Sequence, residues 1–152
     1  FIYCPGIFIP EDTTCLSTTE IINQMNVNLL SAIALSIPIL KSMELKKKGL
    51  MLFIGSSSSY AGFQKTSIYC SSKHGLLGYA RSISEEFRNS GIKISCISPG
   101  SINTKMSIPL HKTMDPNTFI NPDEISELLI DLVYSPKQSM WQEEIILKRL
   151  KY

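Results

Sequence analysis

Apolar residues in this chain fall into two patterns, short unbroken runs and longer stretches spaced three and four apart. Phe1-Ile2-Tyr3 is a short run stopped by Pro5-Gly6, which predicts a central strand followed by a loop over Ile7 to Cys15. Ser17-Thr18-Thr19-Glu20 then reads as a capping box, and Ile21, Ile22, Met25, Leu29 and Ala32 continue a helical stripe. That helix is expected to run to about Glu44, interrupted or bent near Pro38. Leu50 to Ile54 is continuously apolar between Gly49 and Gly55, as in a strand covered on both faces. From about Thr66 to Asn89 the pattern is helical, with Leu76, Ala80, Ile83 and Phe87 on one face and Gly91 as a stop. Ile92, Ile94 and Cys96, optionally with Ile97, form the next strand, ended by Ser98-Pro99-Gly100. Asn121-Pro122-Asp123-Glu124 opens a third helix whose core face is Ile125, Leu128, Leu129, Leu132 and Val133, and which stops before Ser135-Pro136. A last strand, Glu144 to Leu147, leads to a basic tail.

Strands and helices thus alternate, about four strands with three main helices. This order predicts an α/β protein with an open parallel sheet and helices on both faces. No repeat, low-complexity tract or linker divides residues 1–152, so a single domain is expected. The first strand would leave an apolar edge in need of a neighbour.

Composition changes this picture little. The chain has 152 residues, 43% of them apolar, and a net charge of +2, the range of a globular domain with a real core. The densest basic run, Lys46-Lys47-Lys48, follows an apolar helix and reads as a solvated helix end rather than a nucleic-acid site. Cys4, Cys15, Cys70 and Cys96 form no C-x-x-C pair and no metal-ligand spacing, which suits bystander thiols in a reducing compartment, with the cytoplasm as the expected location. The best membrane candidate, Leu29 to Leu40, is short and broken by serines and Pro38, so no membrane partner is expected.

The chemistry lies in Tyr69-Cys70-Ser71-Ser72-Lys73. An i, i+4 pair on a helix places both side chains on one face, and a fixed ammonium beside a phenol favours phenolate and is expected to lower its pKa. Taken alone, Tyr-x-x-x-Lys recurs by chance in many helices. Here it follows a buried strand that ends in Gly55-Ser56-Ser57-Ser58-Ser59, and the C-terminal end of a parallel strand is where open α/β sheets bind ligands.

With that context the chain resembles the classical short-chain dehydrogenase/reductase family over nearly its whole length. Ser56 precedes Tyr69 by the 13 positions usual for the family's catalytic Ser; Ser57 is the runner-up, and Ser59 fits only with a deletion. Asn26-Val27-Asn28-Leu29 looks like the family's mid-helix Asn motif, and Ser98-Pro99-Gly100-Ser101-Ile102-Asn103-Thr104 matches its P-G-x-x-x-T segment. The resemblance implies a Rossmann-like doubly wound sheet, present here as its C-terminal part, and NAD- or NADP-dependent oxidoreduction of a small carbonyl or alcohol substrate. It implies that Tyr69 exchanges the proton, Ser56 holds the substrate oxygen and Lys73 bonds the nicotinamide ribose and tunes Tyr69. The backbone carbonyl of Asn28 would hold a water leading to Lys73. Gly6, Pro99, Gly100, Ile102 and Thr104 would join Tyr69 and Lys73 in cofactor binding, and no metal is implied.

The pattern departs from the family's at two places. Tyr3-Cys4-Pro5-Gly6 keeps only the Gly of an N-N-A-G motif, and the Gly-rich pyrophosphate loop would lie upstream of Phe1. The expectation is therefore a portion of a longer enzyme, unstable and inactive alone, with a silent remnant serving as an interaction module as the alternative. Sugar-nucleotide epimerases and dehydratases that share Y-x-x-x-K generally have a larger C-terminal region than the roughly 30 residues after Asn121. The substrate loop is expected between Thr104 and Asn121, with Met106, Ile108, Leu110, Met114 and Phe119 as apolar candidates and His111 as a surface residue. The resemblance also implies a homodimer or homotetramer of the full-length parent, built on the helices beginning near Thr18 and Thr66.

Overall fold

The computed structural model describes residues 1–107, 115–135 and 140–149. Four strands, β1 (Ile2–Tyr3), β2 (Gly49–Ile54), β3 (Ile92–Pro99) and β4 (Glu144–Leu147), form one wholly parallel sheet in the order β1-β2-β3-β4. Helices α1 (Thr18–Met25) and α2 (Ser31–Lys46) connect β1 to β2, α3 (Ser67–Glu86) connects β2 to β3, and α4 (Pro122–Tyr134) connects β3 to β4. Met51, Leu52 and Phe53 are consecutive and all buried, so both faces of β2 are covered, as its unbroken apolar run predicts. Met51 and Phe53 pack with Ile92, Ile94 and Cys96 of β3 and with Leu76, Leu77, Ala80 and Ile83 of α3 to make the core. Register pairs Leu52 with Ser95 on the opposite face.

Local signals set the helix ends. Ser17 caps α1, accepting the Glu20 amide at 3.3 Å, while the Glu20 carboxylate accepts the Ser17 amide at 2.9 Å. This reciprocal bonding satisfies two otherwise orphaned donors, worth about 1 kcal/mol. Asn121 caps α4 with Pro122 at its first position. Gly91, at φ +80°, turns the chain into β3, and a Cβ there would lie 2.3 Å from the Lys47 carbonyl oxygen.

Three expectations are corrected. The long helix is interrupted not at Pro38 but at Asn26–Leu30, a π-helical turn between α1 and α2. Pro38 sits on the exposed side of α2, where water can bond the carbonyl that proline leaves without a donor. Of the expected stripe Ala32 is buried and Leu29 packs against the core, but Ile22 is exposed, and the line of buried residues is Gln24, Asn28, Ala32, Ser36 and Leu40. Ser36 Oγ lies 2.6 Å from the Tyr79 hydroxyl, and Asn28 and Gln24 Oε1 bind a loop described below, while Gln24 Nε2 is buried with no partner among the described residues. Finally, of the α4 face only Ile125 is buried, with Val133 48% exposed.

The stretch Thr18–Lys46 spans 29 residues and is long and apolar enough, by length and composition alone, to cross a membrane. Its buried side carries hydrogen-bonded amides and a serine, while Ile22, Leu30, Leu35, Ile37 and Leu45 are exposed.

Candidate active site

A cleft of about 410 Å³ opens at the C-terminal ends of β2 and β3. Gly55, Ser56, Ser57 and Ser58 form one side, Tyr69 another, and Pro99, Gly100, Ser101, Ile102 and Thr104 a third. The floor leaves no room for a side chain at Gly55, where a Cβ would meet Ser98 Oγ at 2.8 Å and Cys96 Sγ and Ser59 Oγ at 2.9 Å. Ser56 then caps a short 3-10 turn, Ser57–Ser59: its hydroxyl accepts the Ser58 amide at 3.1 Å, and its own amide donates to Ser59 Oγ at 3.1 Å. Ser59 is buried in this local role, whereas the half-buried Ser56 faces the same cleft as Tyr69.

Lys73 lies beneath them and is only 3% exposed. Its Nζ donates to the Ile54 carbonyl at 2.9 Å and stands 5.8 Å from the centroid of the Tyr69 ring. Burial brings the Lys73 pKa down to about 8, partly opposed by the neighbouring Cys96 and Cys4. Burial pushes the Tyr69 phenol up, the Ser56 hydrogen bond pulls it down, and Cys70 raises it. The expected depression of Tyr69 by the Lys73 ammonium is therefore corrected, because Lys73 is directed to a backbone carbonyl and desolvation dominates the phenol.

Asn28 is fully buried in the π-helical turn, and its side chain is saturated. Oδ1 accepts the Ile7 amide at 2.8 Å, and Nδ2 donates to the Ile7 carbonyl at 2.9 Å and to Ser72 Oγ at 3.1 Å. Ser72 Oγ in turn donates to the Tyr69 carbonyl at 2.7 Å, so Asn28 is linked to the backbone of Tyr69. The π turn has its own brace. The Ser31 hydroxyl donates to the Asn26 and Val27 carbonyls at 2.8 and 3.0 Å, and the buried Tyr3 hydroxyl bonds the Val27 carbonyl and Ser31 Oγ. Tyr3, where the resemblance places an Asn, is thus committed to the helix. Cys4 beside it is exposed, and a Cβ on Gly6 would lie 3.6 Å from Lys73 Nζ and 3.7 Å from Asn28 Oδ1.

The segment after β3 is pinned on both sides. The Gly100 amide donates to the Leu147 carbonyl at 2.8 Å, and Ile102 forms a bridge to Ile120. Thr104 Oγ1 lies 3.2 Å from Ser107 Oγ. Met106 reaches the cleft, but Phe119 is buried under the Arg149 guanidinium and lines no part of it. Ile108, Leu110, His111 and Met114 fall outside the described residues. Several lining residues, among them Phe8, Pro10 and Phe63, are absent from the expectations. Phe8, in the loop after β1, places its ring 4.8 Å from that of Tyr69. The signal available for it was an apolar triplet, Ile7-Phe8-Ile9, between Gly6 and Pro10.

A parallel sheet whose strand ends carry this cleft defines a nucleotide-binding type of α/β fold. Residues 1–115 match the short chain dehydrogenase family model, and the chain belongs to that family. Carbonyl reductase family member 4 of Xenopus tropicalis is 30% identical over 135 residues, which cover 84% of this chain and 57% of the relative. The 3-oxoacyl-[acyl-carrier-protein] reductase MabA of Mycobacterium avium is 37% identical over 89 residues, covering 59% of this chain and 34% of the reductase. The chain therefore spans less than two thirds of the length of these curated relatives. Among solved structures, 4-hydroxyisoleucine dehydrogenase complexed with NADH superposes with a TM-score of 0.85 at 25% identity, covering 97% of this chain and 66% of that one.

Proposed function

We propose that this chain provides the proton-transfer machinery of an oxidoreductase that moves a hydride between NAD or NADP and a carbonyl or alcohol. The observation that carries the reading is that Ser56 and Tyr69 line one cleft, with the buried Lys73 ammonium 5.8 Å from the Tyr69 ring centroid behind them. Tyr69 holds its proton at neutral pH and can release it to an oxygen that gains negative charge during reduction. Ser56 bonds the same oxygen and stabilises that charge. Lys73 keeps a positive charge below about pH 8 and would bond the ribose hydroxyls of a nicotinamide nucleotide. Asn28 acts on the same group at one remove, through Ser72 and the Tyr69 backbone.

The donor set of the cleft fits the nicotinamide end of a dinucleotide. Behind the cleft Lys73 Nζ faces the short Gly6, where no side chain intervenes, and Pro99, Gly100 and Ile102 line the cleft together with Tyr69. Gly6, Tyr69, Lys73, Pro99, Gly100, Ile102 and Thr104 would hold it. A nicotinamide bound there supplies or accepts the hydride.

The exposed apolar side of α1 and α2 supports a self-associating protein, a homodimer or homotetramer in the family's manner.

The test is Tyr69→Phe in the full-length protein, assayed with NADH and NADPH. Turnover should fall by roughly 100-fold or more, with thermal unfolding little changed. A variant within twofold of wild type would remove Tyr69 from the chemistry.

A further inference from the structure

The loop that brings Phe8 to Tyr69 is held in an unusual way. Asn28 and Gln24, one helical turn apart, both present their side-chain amides to its backbone. Asn28 takes both the amide and the carbonyl of Ile7, at 2.8 and 2.9 Å, and Gln24 Oε1 accepts the Ile9 amide at 3.2 Å. Bonds at alternate residues are the spacing with which a neighbouring strand would pair, and here two buried amides stand in for that strand. Phe8 lies between the two anchored residues, half-buried, with its ring tilted 53° against the ring of Tyr69 and its surface in the cleft.

We propose that Phe8 is a specificity-determining residue, the wall against which the apolar substituent of a carbonyl substrate packs while its oxygen meets Ser56 and Tyr69. This rests on the hydride-transfer reading above. The walls near it agree in character: Pro10, Phe63 and Met106 also line the cleft. Among the described residues Lys65 is on this part of the rim, in an exposed pair with Asp12 at 3.0 Å. The cleft therefore favours ketones or aldehydes with an alkyl or aryl group over polyhydroxylated ones. Phe8 is suited to this because its ring has two rotatable bonds, and the amides on either side fix the backbone that aims it.

The experiment compares acetophenone and hydroxyacetone as substrates of the full-length wild type, Phe8→Ala, Phe8→Leu and Gln24→Met. Wild type should prefer acetophenone. Phe8→Ala should cut that preference by roughly 10- to 100-fold, chiefly through KM, the discrimination available to one apolar contact. Phe8→Leu should lose less, and Gln24→Met should move in the same direction as Phe8→Ala. A preference ratio within twofold of wild type in Phe8→Ala and Phe8→Leu, both folded, would overturn the proposal. Saturation-transfer NMR of acetophenone with the same proteins needs no turnover. Binding that weakens in Phe8→Ala in a protein inactive with both NADH and NADPH would uphold the wall and remove the hydride-transfer reading. Normal turnover with binding indifferent to Phe8 would do the reverse.

Discussion

Lys73 Nζ donates to the Ile54 carbonyl across 2.9 Å, so the last residue of a buried strand fixes where the ammonium of the site stands. The cost of that placement is desolvation, which brings its pKa from 10.5 to about 8. A lysine with a lowered folded pKa binds its proton less tightly folded than unfolded. Between about pH 8 and 10.5 the unfolded chain is protonated and the folded one is not, so Lys73 adds stability as pH rises through that window. Below about pH 8 both states hold the proton, and the buried charge costs on the order of 3 kcal/mol. Chemical denaturation of wild type and Lys73→Met from pH 7 to 10.5 should show the difference moving in favour of wild type as pH rises. A pH-independent difference would mean that the ammonium is not desolvated.

Ser56 lowers the pKa of Tyr69 through its hydrogen bond, against the burial that raises it. Ser56→Ala should therefore raise that pKa further. On the proposed reading Tyr69 accepts a proton in the oxidation direction, so the alkaline rise of kcat/KM there should move to higher pH, and turnover should fall by about 100-fold. A lowered rate with an unmoved profile would assign Ser56 to the substrate oxygen alone.

Gly55→Ala tests the floor of the cleft. The added methyl would come within 3 Å of Ser98, Cys96 and Ser59, all of them buried. Overpacking of this kind costs about 1–3 kcal/mol, measurable as a lower midpoint of unfolding. Gly62→Ala, where a Cβ meets nothing within 4 Å, is the matched control.

Asn28→Leu should be more harmful than its apolar surroundings suggest, because it leaves the Ile7 amide and carbonyl without their partner. Each buried unpaired group costs about 1–3 kcal/mol. Hydrogen exchange of the Ile7 amide should accelerate in Asn28→Leu, and also, to a smaller extent, in Tyr3→Phe, which removes one brace of the π turn.

The exposed stripe of the long helix makes a separate prediction. Leu30→Glu combined with Ile37→Glu, both at half-exposed positions, should shift the full-length protein to a smaller species in size-exclusion chromatography without loss of helix content. An unchanged elution volume would take this face out of any subunit contact.

The features legible in the sequence were those set by neighbours in the chain. The Ser17 and Asn121 caps, the buried run of β2 and the turn at Gly91 each depend on a few adjacent residues. So does the facing of Tyr69 and Lys73 on α3. What escaped depends on partners far away in sequence. Gln24, Asn28 and Ser36 are polar, and their bonding partners Ile9, Ile7 and Tyr79 are far away in sequence. Phe8 looked like a loop residue because its amide anchors lie more than a dozen positions downstream. Periodicity marked Val133 as core, although it is nearly half exposed. The rise in the Tyr69 pKa was hidden for a similar reason: spacing places a lysine nearby, but only the folded backbone shows that its ammonium is engaged by Ile54.

The π-helical turn at Asn26–Leu30 also has a consequence for insertions and deletions. Removing one residue there would restore regular helical bonding and, at 3.6 residues per turn, rotate α1 by about 100° against α2. Gln24 would swing away from Ile9, while every side chain in the cleft kept its identity. A change of one residue in the length of this helix would thus undo the site without altering any residue that lines it.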